Sequence, residues 1–425
     1  MTISSKLRIA LCHPDLGIGG AERLVVDASM ELKERGHEVH IFTAHHDRQH
    51  CFEETLGDYF PVTVYGDFLP RNIFNRLHAV CAYLRCLYVA VCMVLFWDTF
   101  DVVFVDQVSA VIPVLKMKKS SKVLFYCHFP DMLLAQHTTS LRKIYRKPLD
   151  WLEETTTGKA DLVLVNSEFT ATTFGETFKS LHSKGIRPSV LYPAVDVRQF
   201  YTQTESSNSE PFFLSINRFE RKKNIGLAIS AFAAVTRELS AVHVYKEHDE
   251  IAASVDVRLV VAGGYDERLA ENREYLEELK TLAAEEGVSS RVDFEPSCST
   301  TRKNDLLASC VAVIYTPTNE HFGIVPLEAM AASKPVIACN SGGPKESVEH
   351  SVTGFLCDAS ARSFASAMMM FFKDSSIAAT MGLAARKHVE ENFSRSVFGE
   401  RLNGIISELL SKSKAKAGKV DMYSL

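Results

Sequence analysis

LRIALCHPDLGIGGAERLVVDASMELKERGHEVHIFT, residues 7–43, decides the fold. Residues 7–12 form an apolar run of strand length with Arg8 near its start. They lead into a turn holding Gly17, Gly19 and Gly20, and over residues 21–35 the apolar positions recur at helical spacing. Gly36 stands where a helix C-cap belongs, and residues 39–43 are the next apolar run. Strands apolar on both faces, joined through helices, build a parallel sheet that is covered on both sides.

The same alternation continues outward. Residues 102–105, 123–127, 162–165 and 190–191 are further strand-like runs. Then YTQTESSNSEP, residues 201–211, carries almost nothing that can fill a core and reads as a linker. Beyond it the pattern restarts, with strands expected at 212–216, 258–262, 292–294, 311–315 and 335–338 and helices at 225–237 and 267–285. Residues 240–256 read as a polar excursion between helix and strand, and helical stretches from 377 to 410 can pack back across the junction. The expected architecture is α/β: two doubly wound Rossmann-like domains facing a cleft. The first covers residues 1–200, the linker 201–211, the second 212–390, and a C-terminal helix with a lysine-rich tail 391–425. Ligands of such folds bind outside the carboxyl ends of the strands.

Composition narrows the function classes. A chain of 425 residues, 46% hydrophobic and 23% charged, has ordinary globular usage and room for two or three domains. Its net charge of −5 gives no footprint for a nucleic-acid binder. The ten cysteines include no C-x-x-C pair, so neither a disulfide scaffold nor a zinc site is expected, and the thiols read as reduced in a cytosol-facing protein. Lys6 and Arg8 interrupt the N-terminus, which argues against a secretory signal. Residues 79–97 are apolar except for Arg85, but the unbroken part, 86–97, is short of the roughly 20 residues a membrane span needs. Two readings stand: a buried core helix, or a helix lying on a membrane with Tyr83, Tyr88, Phe96 and Trp97 at the interface. Lys412, Lys414, Lys416 and Lys419 make a solvated end or an attraction for anionic lipid.

Chemistry concentrates at the predicted strand ends. Around Gly17–Gly20 the backbone can approach a phosphate at a helix N-terminus, although a plain tight turn explains the glycines equally well. NRFERKKN, residues 217–224, follows a strand and opens a helix; there Arg218 and Lys223 can neutralise a departing diphosphate, unless the run is only a solvated basic loop. EHFGIVPLE, residues 320–328, sets Glu320 in a loop and Glu328 in the first turns of a helix tolerant of Pro326. Carboxylates are natural acceptors for a vicinal diol, with the N–H groups of Phe322, Gly323 and Ile324 facing the same place; the bland alternative is two unrelated surface glutamates. Gly263-Gly264 and Gly342-Gly343-Pro344 mark two more turns at this edge. His128, after the strand at 123–127, either bridges hydroxyls of donor and acceptor or is a satisfied core histidine. No D-x-D pair is present to hold a divalent metal over a diphosphate, and neither a phosphate-binding G-x-x-x-x-G-K-[ST] loop nor a G-x-S-x-G elbow occurs.

Together these segments resemble glycosyltransferase family 4, retaining enzymes of the two-Rossmann-domain GT-B architecture. The resemblance rests on Gly19-Gly20-Ala21-Glu22, on Arg218 with Lys223, and above all on Glu320 and Glu328 with seven residues between them. GIGGAERLVVDA from Gly17, FYCHFPD from Phe125, SINRFERKKN from Ser215 and HFGIVPLEAM from His321 are similar to the family's mannosyltransferases of asparagine-linked glycosylation. That likeness implies GDP-mannose as donor and dolichyl-diphosphate-linked chitobiose bearing one mannose as acceptor, extended first α-1,3 and then α-1,6. It also implies the cytosolic face of the endoplasmic reticulum membrane, other glycosyltransferases of the pathway as partners, and no required metal or other cofactor. By the same resemblance Arg218 and Lys223 bind the diphosphate, Glu328 the ribose and Glu320 the mannose, and His128 lies near the reacting centre. Gly19, Gly20, Gly263, Phe322, Gly323 and Ile324 complete the expected donor site. A lipid-linked acceptor favours the membrane-surface reading of residues 79–97. Competing readings are a transferase for another nucleotide sugar, a nicotinamide-dependent oxidoreductase, for which the full glycine fingerprint is missing, and a non-catalytic membrane scaffold.

Overall fold

The computed structural model describes residues 6–57, 59–73, 77–134, 140–200, 210–245, 257–374 and 376–421. The chain forms two compact units, Met1–Ala194 with Arg395–Leu425, and Val195–Ser394. Residues 201–209 of the expected linker lie outside the described residues.

The first unit is built on seven strands: β1 (Arg8–His13), β2 (Glu38–Thr43), β3 (Val62–Val64), β4 (Val102–Asp106), β5 (Lys122–Cys127), β6 (Leu162–Val165) and β7 (Ser189–Val190). All pair in parallel, in the order β3-β2-β1-β4-β5-β6-β7. Successive residues of a strand point to opposite faces. Accordingly Ile9, Leu11, Phe104 and Tyr126 enter one core, while Ala10, Cys12, Val105 and Phe125 enter the other. Helix α1 (Gly20–Glu34) covers the first face with Leu24, Val25, Ala28 and Leu32. The C-terminal helix Arg395–Asp421 joins it there through Phe398, Leu402 and Ile406, and Arg395 meets Glu31 at 3.0 Å. Of the stretch 377–410 expected to pack back, only the helix from Arg395 groups with the first unit; the helix Ser376–Asn392 stays with the second.

Helix α2 (His78–Phe96) covers the second face with Cys86, Val89, Ala90 and Met93. Its other side leaves Leu84, Tyr88, Val91 and Leu95 exposed at helical spacing, and Phe68 packs edge-on against Tyr88. The helix is therefore a core element that also carries an apolar outer stripe. By length and composition alone it is long enough to cross a membrane. Arg85 breaks no helix: it turns inward, and its guanidinium donates to the carbonyl of Ala44 at 3.0 Å.

The second unit repeats the plan with β8 (Phe212–Ile216), β9 (Arg258–Gly263), β10 (Val292–Pro296), β11 (Ala312–Tyr315), β12 (Val336–Cys339) and β13 (Gly354–Cys357). These strands are parallel in the order β10-β9-β8-β11-β12-β13. Helix α3 (Gly226–Tyr245) lays Ile229, Phe232 and Val235 against Phe213 and Leu259, alongside Phe364 and Met368 of another helix. It runs beyond the expected end at 237, so the expected polar excursion begins inside a helix, and residues 246–256 lie outside the described residues. The edge strands β3 and β13, three and four residues long, were not anticipated. In each sheet the strand order reverses beside the first strand, between β1 and β4 and between β8 and β11. Loops leaving the two neighbours part there, which opens the crevice where such sheets bind ligands. All ten cysteines are free thiols.

Candidate active site

In the second unit, the loop after β8 ends in a single helical turn, Arg221–Lys223, closed by Asn224 in a left-handed conformation at φ 49°. This geometry separates the basic run. Arg221 turns to Glu274 and Glu278, at 3.2 and 2.5 Å, and Lys222 to Glu220 at 3.0 Å. Only Lys223 reaches inward: its Nζ lies 2.5 Å from Oε2 of Glu320, with the two side chains 12% and 21% exposed. The Lys223 carbonyl accepts a hydrogen bond from Thr316 at 2.7 Å, which ties the loop after β8 to the end of β11. A cation and a carboxylate thus meet where the strand order reverses.

The segment from Glu320 to Glu328 is shaped by glycines. Gly323 has φ +85°, and a Cβ there would sit 2.9 Å from the Tyr315 hydroxyl. It precedes helix α4 (Ile324–Ala331), with Pro326 buried near the start. The Gly343 N–H donates to the Glu320 carbonyl at 2.8 Å, and Gly342, at φ +62°, leaves no room for a Cβ against the same carbonyl. Gly263, at φ +140°, likewise packs on the backbone of Asn217. Glu328 lies within α4 and pairs with Lys303 at 2.6 Å. Tyr315 is buried among these groups. Burial raises its phenol pKa well above the usual range, the charges of Glu320 and Glu328 add to that, and Arg218 opposes it.

Arg218 itself is 62% exposed and pairs with Glu220 at 2.9 Å. The structure thus brings Lys223, Glu320, Glu328, Gly263 and Gly323 to one edge of this sheet, with Arg218 at its rim. Phe322 is buried, and Ile324 opens α4. Sequence reasoning missed Lys303 and Tyr315, since neither belongs to the runs that attracted attention.

His128 stands in the first unit, one residue past β5. Its Nε2 lies 2.8 Å from Oδ1 of Asp106, the last residue of β4. The other Asp106 oxygen, Oδ2, is 2.8 Å from Nδ1 of His13, the last residue of β1. On its far side His13 Nε2 is 3.7 Å from Glu22 in the first turn of α1. Gly19 gives this carboxylate its place, because a Cβ on Gly19 would collide with it. Gly20 is the first residue of the helix. The result is a chain of alternating carboxylates and imidazoles along the reversal point of the first sheet.

Electrostatics set the charges of His13, Asp106 and Glu22. Burial opposes charging of His13, yet hydrogen bonds to Asp106 and Glu22 and their charges outweigh it and raise its pKa to about 9. For Asp106 burial works upward, while the charge and hydrogen bonds of His128 and His13 bring it down to about 2. Glu22 is also lowered by its hydrogen bond to His13, against the effect of burial. His13 and Asp106 carried no motif signal; each reads as one polar residue at the end of an apolar strand.

Two doubly wound parallel sheets of seven and six strands are the architecture of the GT-B glycosyltransferases. Sucrose-phosphate synthase from Thermosynechococcus elongatus shares the fold with a TM-score of 0.74 at 20% identity, over 96% of this chain and 100% of that one. Anabaena Alr3699/HepE in complex with UDP follows at 0.66 and 20% identity, over 95% and 100%. The family model described as "Glycosyltransferase Family 4" matches residues 18–204, and "Glycosyl transferases group 1" matches residues 197–388. Homo sapiens α-1,3/1,6-mannosyltransferase ALG2 is 47% identical over 95% of this chain and 97% of its own length. The Dictyostelium discoideum α-1,3/1,6-mannosyltransferase ALG2 is 43% identical over 95% and 99%. The chain belongs to the α-1,3/1,6-mannosyltransferase family of glycosyltransferases.

Proposed function

We propose that the protein transfers mannose from GDP-mannose to dolichyl-diphosphate-linked mannosyl-chitobiose, first in α-1,3 and then in α-1,6 linkage, at the cytosolic face of the endoplasmic reticulum membrane. The observation that carries this reading is the Lys223–Glu320 pair at 2.5 Å. A glycosyl phosphate presents hydroxyls on one side of its scissile bond and anionic oxygens on the other. Glu320 accepts from the mannose hydroxyls, and Lys223 stabilises the charge that grows on the leaving diphosphate. Arg218, exposed at the rim, gives up Glu220 for the diphosphate, while Glu328 accepts from the ribose diol with Lys303 beside it. His128 in the first unit engages a sugar hydroxyl.

Transfer with retention proceeds on the front face. The bond from mannose C1 to the phosphate oxygen breaks, the acceptor hydroxyl oxygen bonds to C1 from the same side, and its proton passes to the leaving phosphate oxygen. GDP departs. A trapped covalent mannosyl-enzyme would rule this route out in favour of double displacement. Side-chain cations neutralise the diphosphate here, so no metal is required. The exposed stripe of α2, from Leu84 to Leu95 with Phe68, lies against the bilayer surface and keeps the first unit near its lipid-linked acceptor.

The test is mass spectrometry of the purified protein with GDP-mannose, a short-chain analogue of the mannosylated chitobiose diphosphate lipid, and a chelator. Two sequential hexose additions are expected. No addition from GDP-mannose, with transfer from another nucleotide sugar, overturns the donor; dependence on added metal overturns the side-chain neutralisation.

A further inference from the structure

We infer that Asp106, His13 and Glu22 are positioning residues that keep a proton on Nε2 of His128, so that Nδ1 is the atom offered to a sugar hydroxyl. The inference rests on the reading of His128 given above and adds the residues that set its state.

The argument starts from two contacts of one buried carboxylate. Asp106 is fully enclosed, and its two oxygens lie 2.8 Å from His13 Nδ1 and 2.8 Å from His128 Nε2. An imidazole lone pair cannot face a carboxylate oxygen at that distance, so a proton lies between each pair of atoms. Asp106 is ionised, and both protons therefore belong to nitrogen. His128 Nε2 and Asp106 Oδ1 are in close contact without forming an aligned hydrogen bond, and χ2 of an imidazole is broad enough for the ring to turn its N–H onto Oδ1. Among the described residues Nδ1 of His128 has no partner, and the side chain is 24% exposed. A ligand can reach this ring, whereas His13 and Asp106 are sealed from solvent.

His13 and Glu22 have a distinct part. Were His13 neutral, the whole charge of Asp106 would face His128 and favour a second proton on that ring. Held between two carboxylates, His13 stays cationic and keeps Asp106 an acceptor on both oxygens. The backbone completes the restraint: the His128 carbonyl accepts from Asn166 at 2.9 Å, and its ring meets Tyr126 edge-on at 4.8 Å.

The test uses the full-length protein labelled with 15N in its histidine rings. Long-range proton–nitrogen correlations, with His128 assigned by its loss in His128→Gln, are recorded where the ring is neutral. A proton on Nε2 and none on Nδ1 is expected; the opposite tautomer overturns the inference. This readout needs no substrate and stands whatever the donor proves to be. In kinetics, Asp106→Asn is expected to lower kcat on the order of 10²-fold, the range for losing one preorganised polar contact at a reacting centre, with KM for the donor nearly unchanged and the His128 signals shifted toward Nδ1–H. Glu22→Gln, away from the buried centre, is expected to move both readouts the same way by about tenfold in kcat, and serves if Asp106→Asn does not fold. Loss of kcat with the tautomer unmoved, or an unmoved kcat in both variants, overturns the inference. Near-normal activity in His128→Ala instead overturns the underlying reading of His128.

Discussion

Where β8 and β11 part, the charged groups sit on long side chains that are partly exposed: Lys223 meets Glu320, and Lys303 meets Glu328 at the neighbouring helix. Where β1 and β4 part, they are short and enclosed, with His13 and Asp106 almost fully buried. The physics of the two differs accordingly. Each pair keeps a side open to solvent, so an incoming diphosphate and its sugar hydroxyls can replace the partners charge for charge. A buried chain whose members satisfy one another is expensive to open and holds its geometry instead. The second unit is built to exchange partners with a charged ligand. The first is built to present one imidazole in a fixed state.

That contrast is broken most directly at Lys223. Lys223→Ala is expected to lower kcat by about 10²–10³-fold or more, as removal of a donor to a developing anion does, measured by mannose transfer to the lipid analogue. Arg218→Ala should cost far less, about tenfold, because an exposed guanidinium already paired with Glu220 is screened by water. Equal losses in the two variants would refute the division drawn between an inward and a rim cation. Glu328→Gln is expected to raise the donor KM about tenfold, the loss of roughly 1.4 kcal/mol of charge-assisted hydrogen bonding, with a smaller change in kcat. A variant that lost kcat at unchanged KM would move Glu328 from holding the nucleotide to the reacting bond.

Much of this was legible before any coordinates. The stretch from residue 7 to 43 already contained strand, turn, helix and strand, because parallel strands buried on both faces leave unbroken apolar runs. Lys223, Glu320 and Glu328 lie in runs whose residue types announce charge chemistry beside glycine. What stayed hidden has physical reasons. β3 and β13 are edge strands of only three and four residues, too short for a run to stand out. Helix Ser140–Thr157 carries Pro148 inside it, which reads as a breaker in sequence and is accommodated in the fold. His13 and Asp106 are 93 residues apart in sequence, and only the strand order, which sets β1 beside β4, makes them neighbours. The outer side of α2 was half legible: Tyr88 and Phe96 are exposed as expected, whereas Tyr83 and Trp97 pack against the core, because a helix apolar all round does not say which side faces the sheet.

Backbone constraint sharpens the comparison next. Gly323 meets two demands together, a left-handed φ and close approach to the Tyr315 hydroxyl. Gly323→Ala is expected to cost about 1–3 kcal/mol, seen as a lowered Tm, and to impair transfer by displacing the loop that carries Glu320. Gly19→Ala meets neither a positive φ nor a rigid neighbour, only the end of the Glu22 side chain. Its Tm should hardly move, and its effect should appear as a displaced Glu22 and a modest loss of kcat. A large fall in Tm for Gly19→Ala would mean that this turn is structural rather than a seat for the carboxylate.

The finest distinction is in the pH dependence of stability. His13 is raised in the folded protein to about 9, against an ordinary histidine value near 6.5, so the native state binds its proton more tightly than the unfolded chain does. Its contribution is complete below about pH 6.5, declines above it, and is lost as pH rises through about 9. Asp106 runs the other way: depressed to about 2, its contribution is present above the ordinary aspartate value and is lost as pH falls through about 2. Between these limits both contributions stand, and the first unit should be most resistant to urea from about pH 4 to 6.5. His13→Gln keeps a hydrogen-bonding side chain but cannot bind the extra proton. Urea unfolding of this variant should show a lower midpoint at pH 6 and a shallower decline from pH 6.5 to 9 than the native protein. An alkaline decline as steep as the native one would show that the proton is held elsewhere and that the buried chain at β1 and β4 carries less charge than its geometry requires.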